Sequence, residues 1–201
     1  MSRKLIQIAV NIFAVILGLI IFSAGMSKLY FLHQFPKIIG PVNIEEQLAE
    51  FGLSLLAQCI AYSQVIIGFI LITLMFRTLG AILLTPMIFM ICVVTISFEM
   101  YPTNYLVAIM LVLNLLILMY DWKKFAPILG YEYKGHPIKH HGNIRIYELT
   151  WLLGLGLSLF SIHISYYDWL IAYSLVFLGV AISLWSHYKR NKLSTTKNKA
   201  H

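Results

Sequence analysis

A stretch of 23 residues without a formal charge, residues 54–76, constrains this chain more than any other feature, because it ends only at Arg77. A helix rises about 1.5 Å per residue, so a helix of this length crosses the ~30 Å hydrocarbon core of a bilayer. Five of its residues recur at spacings of three and four and share one helix face: Ser54, Ala57, Ala61, Gln64 and Gly68. Small residues let a second helix approach closely, and an amide in the hydrocarbon core needs a partner. We therefore predict a membrane-spanning helix whose protein-facing stripe carries Gln64 at its centre.

Composition extends this prediction to the whole chain. Hydrophobic residues make up 60% of the 201 residues and charged residues 11%, proportions that exclude a soluble globular protein. Apolar stretches predict six spans, at about residues 5–27, 54–76, 78–98, 103–120, 147–165 and 169–186. The expected fold is an all-α integral membrane protein. Its predicted parts are a four-span block (residues 1–125), a cytoplasmic loop (126–146), a two-span hairpin (147–188) and a basic cytoplasmic tail (189–201).

The distribution of basic residues predicts the orientation. With a cytoplasmic N-terminus, all of the 15 Lys and Arg residues except Lys28 and Lys37 fall on the cytoplasmic side, as the positive-inside rule requires. Both termini are then cytoplasmic. The net charge of +7 is explained by topology, and nucleic acid is not expected as a partner, because no basic face is interleaved with aromatic residues.

The first span carries a stripe like that of the second. Its members share one helix face: Asn11, Ala14, Gly18, Gly25 and Lys28. Two such stripes on consecutive helices predict a closely packed helix pair. Lys28 is expected at the outer end, where its side chain can reach toward water.

Polar residues within the spans are the candidates for a site in the bundle. Asn11, Gln64 and Asn114 are amides at mid-membrane depth. They could form a site that binds a quinone headgroup or another substrate, or they could serve as contacts between helices, each contributing ~0.6–2 kcal/mol. Lys28 and Glu99 lie at the outer rim, where the alternatives are an ion pair worth ~0–1 kcal/mol and two solvated charges.

Two cysteines, Cys59 and Cys92, are the candidates for redox chemistry. Each lies ~8–9 Å inside the outer end of its span, at 1.5 Å per residue, so a disulfide or dithiol is feasible if their helices pack face to face. The alternative is that both act as small hydrophobic residues, since the chain has no Cys-x-x-Cys motif.

The connecting segments offer weaker patterns. Residues 43–51 have the periodicity of a short amphipathic helix on the outer surface, with an ordered loop as the alternative. His136, His140 and His141 gather in the inner loop, but neighbouring glycine and proline argue against a helix, and no metal site is predicted. His163 is an isolated ionisable group in the fifth span, which could handle protons or simply be hydrogen-bonded.

The first four spans resemble the DoxX/MauE-like family of small membrane proteins. The matching residues are Gly18 and Gly25 with the closing Lys28-Leu29, Gln64-Val-Ile-Ile-Gly68 with Leu71 and Arg77, and Asn114 with Asp121. The resemblance covers about residues 1–125 and leaves out the last two spans. The family usually has glutamate where this chain has Gln64, so the resemblance carries no proton-linked role to that position.

The resemblance implies a four-helix bundle in a bacterial cytoplasmic (inner) membrane. Members of the family are associated with quinone oxidoreductase complexes or with thiol redox and disulfide maturation, so quinone is the implied cofactor. We expect a redox-associated, multi-pass subunit beside a quinone or thiol–disulfide partner, or a homo-oligomer, more an accessory protein than a complete enzyme. The alternative is a small transporter or scaffold whose polar stripe of Asn11, Gln64 and Asn114 lines a passage or a subunit contact.

Overall fold

The computed structural model describes residues 3–38, 50–125 and 142–198. Six long helices account for most of them: α1 (Arg3–Leu29), α2 (Ser54–Thr73), α3 (Arg77–Ser97), α4 (Thr103–Phe125), α5 (Gly142–Ile164) and α6 (Trp169–Asn198). A single 3₁₀ turn (Phe31–His33) follows α1, and the described residues contain no strand. The predicted helix around residues 43–51 and the inner-loop histidines lie mostly or wholly outside the described residues.

The six predicted spans are confirmed. Each of the six helices contains a stretch long and apolar enough to cross a membrane. The second span ends at Thr73 rather than at residue 76, because Leu74 adopts a left-handed conformation with φ of 56°. The third helix begins directly at Arg77, and α6 continues to Asn198, well beyond the predicted end of the span at residue 186.

The chain divides into two compact units. Unit 1 contains α1 to α4, in which α1 packs on α2 and α4, and α3 packs on α2 and α4. We call the end of unit 1 at which α1 ends and α2 begins the outer end, after the predicted orientation. A cluster of buried apolar residues fills the interior, with Leu17, Leu71 and Leu84 fully inaccessible.

The predicted close pair of α1 and α2 is confirmed. A Cβ atom at Gly18 would stand 2.8 Å from the backbone nitrogen of Ile72, and one at Gly25 would stand 2.7 Å from the carbonyl oxygen of Ala61. Gly68 lies equally close to the backbone of Phe22. Such distances leave no room for a side chain, so these glycines set the separation of the two helices.

Unit 2 contains α5, α6 and the short segment Tyr30–Leu32. Its helices meet through small residues, since a Cβ atom at Gly179 would stand 2.5 Å from the carbonyl oxygen of Gly154. Buried serines flank this contact: Ser158 and Ser161 on α5, Ser165 in the turn after α5, and Ser183 and Ser186 on α6. Ser183 donates across the pair to the carbonyl oxygen of Trp151 at 3.2 Å. Near the inner end the contact also carries an ion pair, Arg190 of α6 with Glu148 of α5 at 3.9 Å. Unit 2 is therefore a tight helical hairpin whose close contact is made by small residues and hydroxyls.

Candidate functional site

A cavity of about 400 Å³ lies in the outer half of unit 1, where it is lined by residues of all four helices. Most of its wall is apolar and includes Ile20, Ile67, Met87, Ile91, Val107 and Met110. The volume falls within the range of ~300–1,000 Å³ that small-molecule sites in proteins occupy. Polar groups enter the wall mainly near the outer end, where Lys28, Lys37 and Gln64 belong to the lining. The cavity therefore has the character of a site for an amphiphilic molecule.

Lys28 and Gln64 are brought together at this cavity. The Lys28 ammonium donates a hydrogen bond to Oε1 of Gln64 at 3.0 Å. Gln64 is buried, with 3% of its surface exposed, and Lys28 is half-buried. The Lys28 side chain thus reaches along α1 to a membrane-embedded amide, where the sequence predicted that it would extend outward to water. Half-buried cationic groups at this depth are rare in membrane proteins and are a sign of function.

The other end of the Gln64 amide is available to a ligand. Lysine can only donate, so Oε1 faces Lys28 and the nitrogen Nε2 is the second polar atom of the group. In the described ranges no acceptor lies within hydrogen-bond distance of Nε2, and the atom keeps accessible surface rather than being enclosed by protein. A ligand oxygen in the cavity could therefore accept a hydrogen bond from Nε2.

A second polar centre lies at the inner end of unit 1. Arg77 and Asp121 form a two-point ion pair, with Nε to Oδ2 at 2.9 Å and Nη2 to Oδ1 at 2.6 Å. The Asp121 carboxylate is fully buried and also accepts from Thr78 at 3.0 Å and from Lys124 at 2.8 Å. Asn11 accepts from Nη1 of Arg77. With every oxygen of Asp121 occupied, this centre holds α1, α3 and α4 together.

The sequence did not predict this inner centre. The sequence identifies Arg77 only as the cytoplasmic residue that ends the uncharged stretch, whereas the structure makes it the first residue of α3 and leaves it 7% exposed. Asp121 entered only as a match to the family pattern. A usable signal is present, because Asp121 directly follows the predicted fourth span and Arg77 lies between the predicted second and third spans, so both fall at the inner boundary. A carboxylate in a span needs a cationic partner at its own depth.

Asn114 forms a separate polar contact between α3 and α4. Its amide nitrogen donates to the carbonyl oxygen of Ala81 at 3.0 Å and to Oγ1 of Thr85 at 2.9 Å. Its oxygen Oδ1 is buried without a hydrogen-bond partner. Asn11, Gln64 and Asn114 therefore engage three different partners, and the structure does not bring the three amides together.

The remaining predicted site residues stand apart from these centres. Cys59 is exposed on α2, and Cys92 is half-buried on α3 against the apolar cluster of unit 1; both thiols are free. Glu99 is exposed in the turn after α3, and no ion pair joins it to Lys28. His163 is exposed on α5. Among the described residues no group of three His, Cys, Asp or Glu side chains could hold a metal ion.

A buried tyrosine in unit 2 was not predicted. The Tyr30 hydroxyl donates to Oγ of Ser161 at 2.9 Å, and the backbone nitrogen of Phe31 donates to Oγ of Ser165 at 3.3 Å. Burial raises the pKa of Tyr30 to about 12, so the phenol stays neutral at physiological pH. These bonds attach the segment Tyr30–Leu32 to α5.

Comparison with known proteins returned no relative: no protein-family model, no curated protein and no solved structure matches the chain.

Proposed function

We propose that unit 1 is a DoxX-like four-helix bundle of the bacterial cytoplasmic membrane that binds the headgroup of a quinone-class molecule in its outer cavity. In this proposal the chain is an accessory subunit that works beside a quinone-dependent or thiol–disulfide redox partner. One observation carries it: the Lys28–Gln64 pair lies in the wall of an otherwise apolar cavity of about 400 Å³.

The chemistry of the pair supports this ligand class. A quinone presents two carbonyl oxygens, which accept hydrogen bonds, on an apolar ring. Lys28 is a donor only, and the Gln64 nitrogen is a donor that makes no hydrogen bond within the described part of the chain. Pockets of this kind combine an apolar wall with a few polar groups that fix the orientation of the ligand.

Binding of a quinone to the purified full-length chain tests the proposal. The probe is a benzoquinone with a decyl tail, added to protein in phosphatidylcholine–phosphatidylglycerol nanodiscs, and the readout is the rise in the unfolding temperature. Gln64→Leu should weaken binding about tenfold, because the hydrogen bond from the Gln64 amide to the ligand is lost. Ser97→Ala is the matched control, since Ser97 is exposed on α3 and bonds only to the carbonyl oxygen of Val93. Equal binding by wild type and Gln64→Leu contradicts the proposal.

The thiol part of the proposal is tested separately. Oxidation of two thiols to a disulfide releases two electrons and two protons, the number that converts one quinone to a quinol. We propose Cys59 and Cys92 as the pair. Cells are acid-quenched and denatured, then labelled with a maleimide–polyethylene glycol with and without prior reduction. The pair is supported if the wild type is labelled only after reduction, whereas Cys59→Ser and Cys92→Ser are each labelled without reduction at the remaining cysteine. Full labelling without reduction rejects it.

The rival functions are transport and scaffolding, and the Gln64→Leu variant expressed in cells distinguishes them from the proposed redox role. Loss of an uptake or export activity with an unchanged thiol state would favour transport, and loss of a membrane complex on native gels would favour scaffolding.

A further inference from the structure

The helices that form the wall of the outer cavity differ in how far their lining residues are exposed at the protein surface. Among the lining residues on α2 and α3, Leu56, Leu83, Pro86 and Met90 are exposed at the protein surface. The lining residues on α1 and α4 are buried or half-buried throughout. We call the gap bordered by those four exposed residues the portal. It lies between α2 and α3 and opens toward the hydrocarbon, because each of these side chains is apolar and belongs to a membrane-spanning helix.

The packing of unit 1 explains why the gap opens there. At the inner end, α2 and α3 are close, since a Cβ atom at Gly80 would stand 2.9 Å from Cγ2 of Ile70. Toward the outer end α3 carries Pro86, which lines the cavity. Proline has no backbone N–H to donate, so the helix loses one backbone hydrogen bond there. The two helices are in contact at the inner end, and both line the cavity toward the outer end.

Toward the inner end the cavity is followed by closely packed side chains of the described helices. Below its floor lie Leu17, Leu71 and Leu84, all with no accessible surface. Packed apolar side chains of this kind exclude water and ions. A molecule in the cavity can therefore reach the hydrocarbon through the portal, and it can form hydrogen bonds with Lys28 and Gln64.

We infer that the ligand of this cavity is a lipid-dissolved molecule with a hydrogen-bond-accepting head and a long hydrocarbon tail, which enters sideways from the bilayer through the portal. The head lies at Lys28 and Gln64, and the tail lies between α2 and α3 beside Leu83 and Met90. This inference rests on the proposed function and adds to it the tail, the route and the exclusion of water-soluble solutes.

The test compares two quinones with the same kind of head and different tails. Duroquinone carries four methyl groups, and decyl-ubiquinone carries a ten-carbon chain. Affinities are measured in the same nanodiscs and expressed per lipid, so that the greater partition of the decyl compound into the bilayer does not count as binding. We expect wild type to bind decyl-ubiquinone at least about tenfold more tightly than duroquinone, the equivalent of about two buried methylene groups.

Matched variants locate the tail. Met90→Trp narrows the portal, whereas Phe89→Trp changes an equally exposed neighbour that does not line the cavity; the two positions are 54% and 57% exposed. Met90→Trp should weaken decyl-ubiquinone about tenfold and leave duroquinone within about threefold, and Phe89→Trp should match wild type. Leu56→Trp approaches the portal from α2 and serves as a second variant if Met90→Trp does not fold.

The outcomes distinguish the two proposals. Equal affinity of wild type for both quinones, or equal weakening of both by the portal variants, overturns the tail and its route while the head site stands. Failure of wild type to bind either quinone overturns the proposed function and this inference with it.

Discussion

The two units solve the same problem, helix packing in a membrane, with different polar groups. In unit 2 the close contact between α5 and α6 uses neutral hydroxyls, and Ser158, Ser161 and Ser165 each donate to a backbone carbonyl of α5. Its ion pair, Arg190 with Glu148, is long at 3.9 Å and partly exposed. Unit 1 instead buries the charges of Arg77 and Asp121 and leaves a cavity beside Lys28. Hydroxyls satisfied by their own helix are inexpensive, whereas a buried charge requires a specific partner. The difference is therefore one of burial: unit 1 holds a fully buried ion pair and a cavity, whereas the close contact of unit 2 is made by small residues and hydroxyls.

The largest expected effect tests the charges of unit 1. Asp121→Ala leaves the Arg77 guanidinium buried without its carboxylate and should lower the free energy of unfolding by ~3–5 kcal/mol. The measurement is unfolding of the purified protein in mixed micelles. Lys124→Ala removes a partner of Asp121 whose side chain is 61% exposed, so it should cost less than about 1 kcal/mol. If the two variants lower the free energy of unfolding equally, the Arg77–Asp121 pair contributes no more to stability than an exposed ion pair does.

The next effect tests the dense contact of unit 2. Gly154→Val forces a branched side chain against the carbonyl oxygen of Gly179 and should destabilise the protein by ~1–3 kcal/mol. Gly156→Val on the same helix is the matched control, because a Cβ atom there meets nothing within 4 Å. Both variants are compared by the same unfolding measurement. If Gly156→Val is as damaging as Gly154→Val, the loss reflects the valine itself and the difference between the units disappears.

A smaller effect on stability tests whether Gln64 in unit 1 serves mainly to bind a ligand or mainly to hold the fold together. Gln64→Leu removes one acceptor of Lys28 and should lower the free energy of unfolding without ligand by only ~0.6–2 kcal/mol. Gln64→Glu keeps an acceptor beside Lys28 and should remain within about 1 kcal/mol of wild type. Unfolding of the ligand-free protein in micelles measures both. A loss above 4 kcal/mol for Gln64→Leu would make Gln64 a structural residue like Asp121.

The smallest effect concerns Tyr30 in unit 2. Tyr30→Phe removes the hydrogen bond to Ser161, which keeps its own bond to the carbonyl oxygen of Ser158, so the cost should be ~0.5–1.5 kcal/mol. The folded pKa of about 12 lies above the unfolded value of about 10, so folding favours the neutral phenol. Its contribution is complete below pH ~10 and is lost as the pH rises toward 12. The difference in stability between wild type and Tyr30→Phe should therefore shrink over this range, and a constant difference would contradict the assignment.

The spans and the contact between α1 and α2 could be predicted from the sequence. The polar residues of the bundle could be identified as site candidates, but their hydrogen-bond partners could not be predicted. Apolar length determines a span, and glycines at fixed spacing mark a close helix pair, so the contact of α1 with α2 followed from local patterns. Lys28 and Gln64 are separated by 36 positions along the chain, and Arg77 and Asp121 by 44. Such pairs depend on the depth and rotation of two helices, which a single sequence does not specify. Gly154, Ser158 and Ser161 recur at spacings of four and three, a small-residue pattern that also marks the contact of α5 with α6.

The segment Tyr30–Leu32 has a consequence for the order of biosynthesis. It is made immediately after α1, yet the hydroxyl that it bonds belongs to Ser161, which is 131 residues later in the chain. At ~5–20 residues per second, Tyr30 is added to the growing chain about 7–26 seconds before Ser161. During that interval α2, α3 and α4 are synthesised while the hydroxyl group of Tyr30 lacks its partner on α5. Completion of unit 2 is therefore the last step of assembly, and a chain that stops before α5 cannot form it.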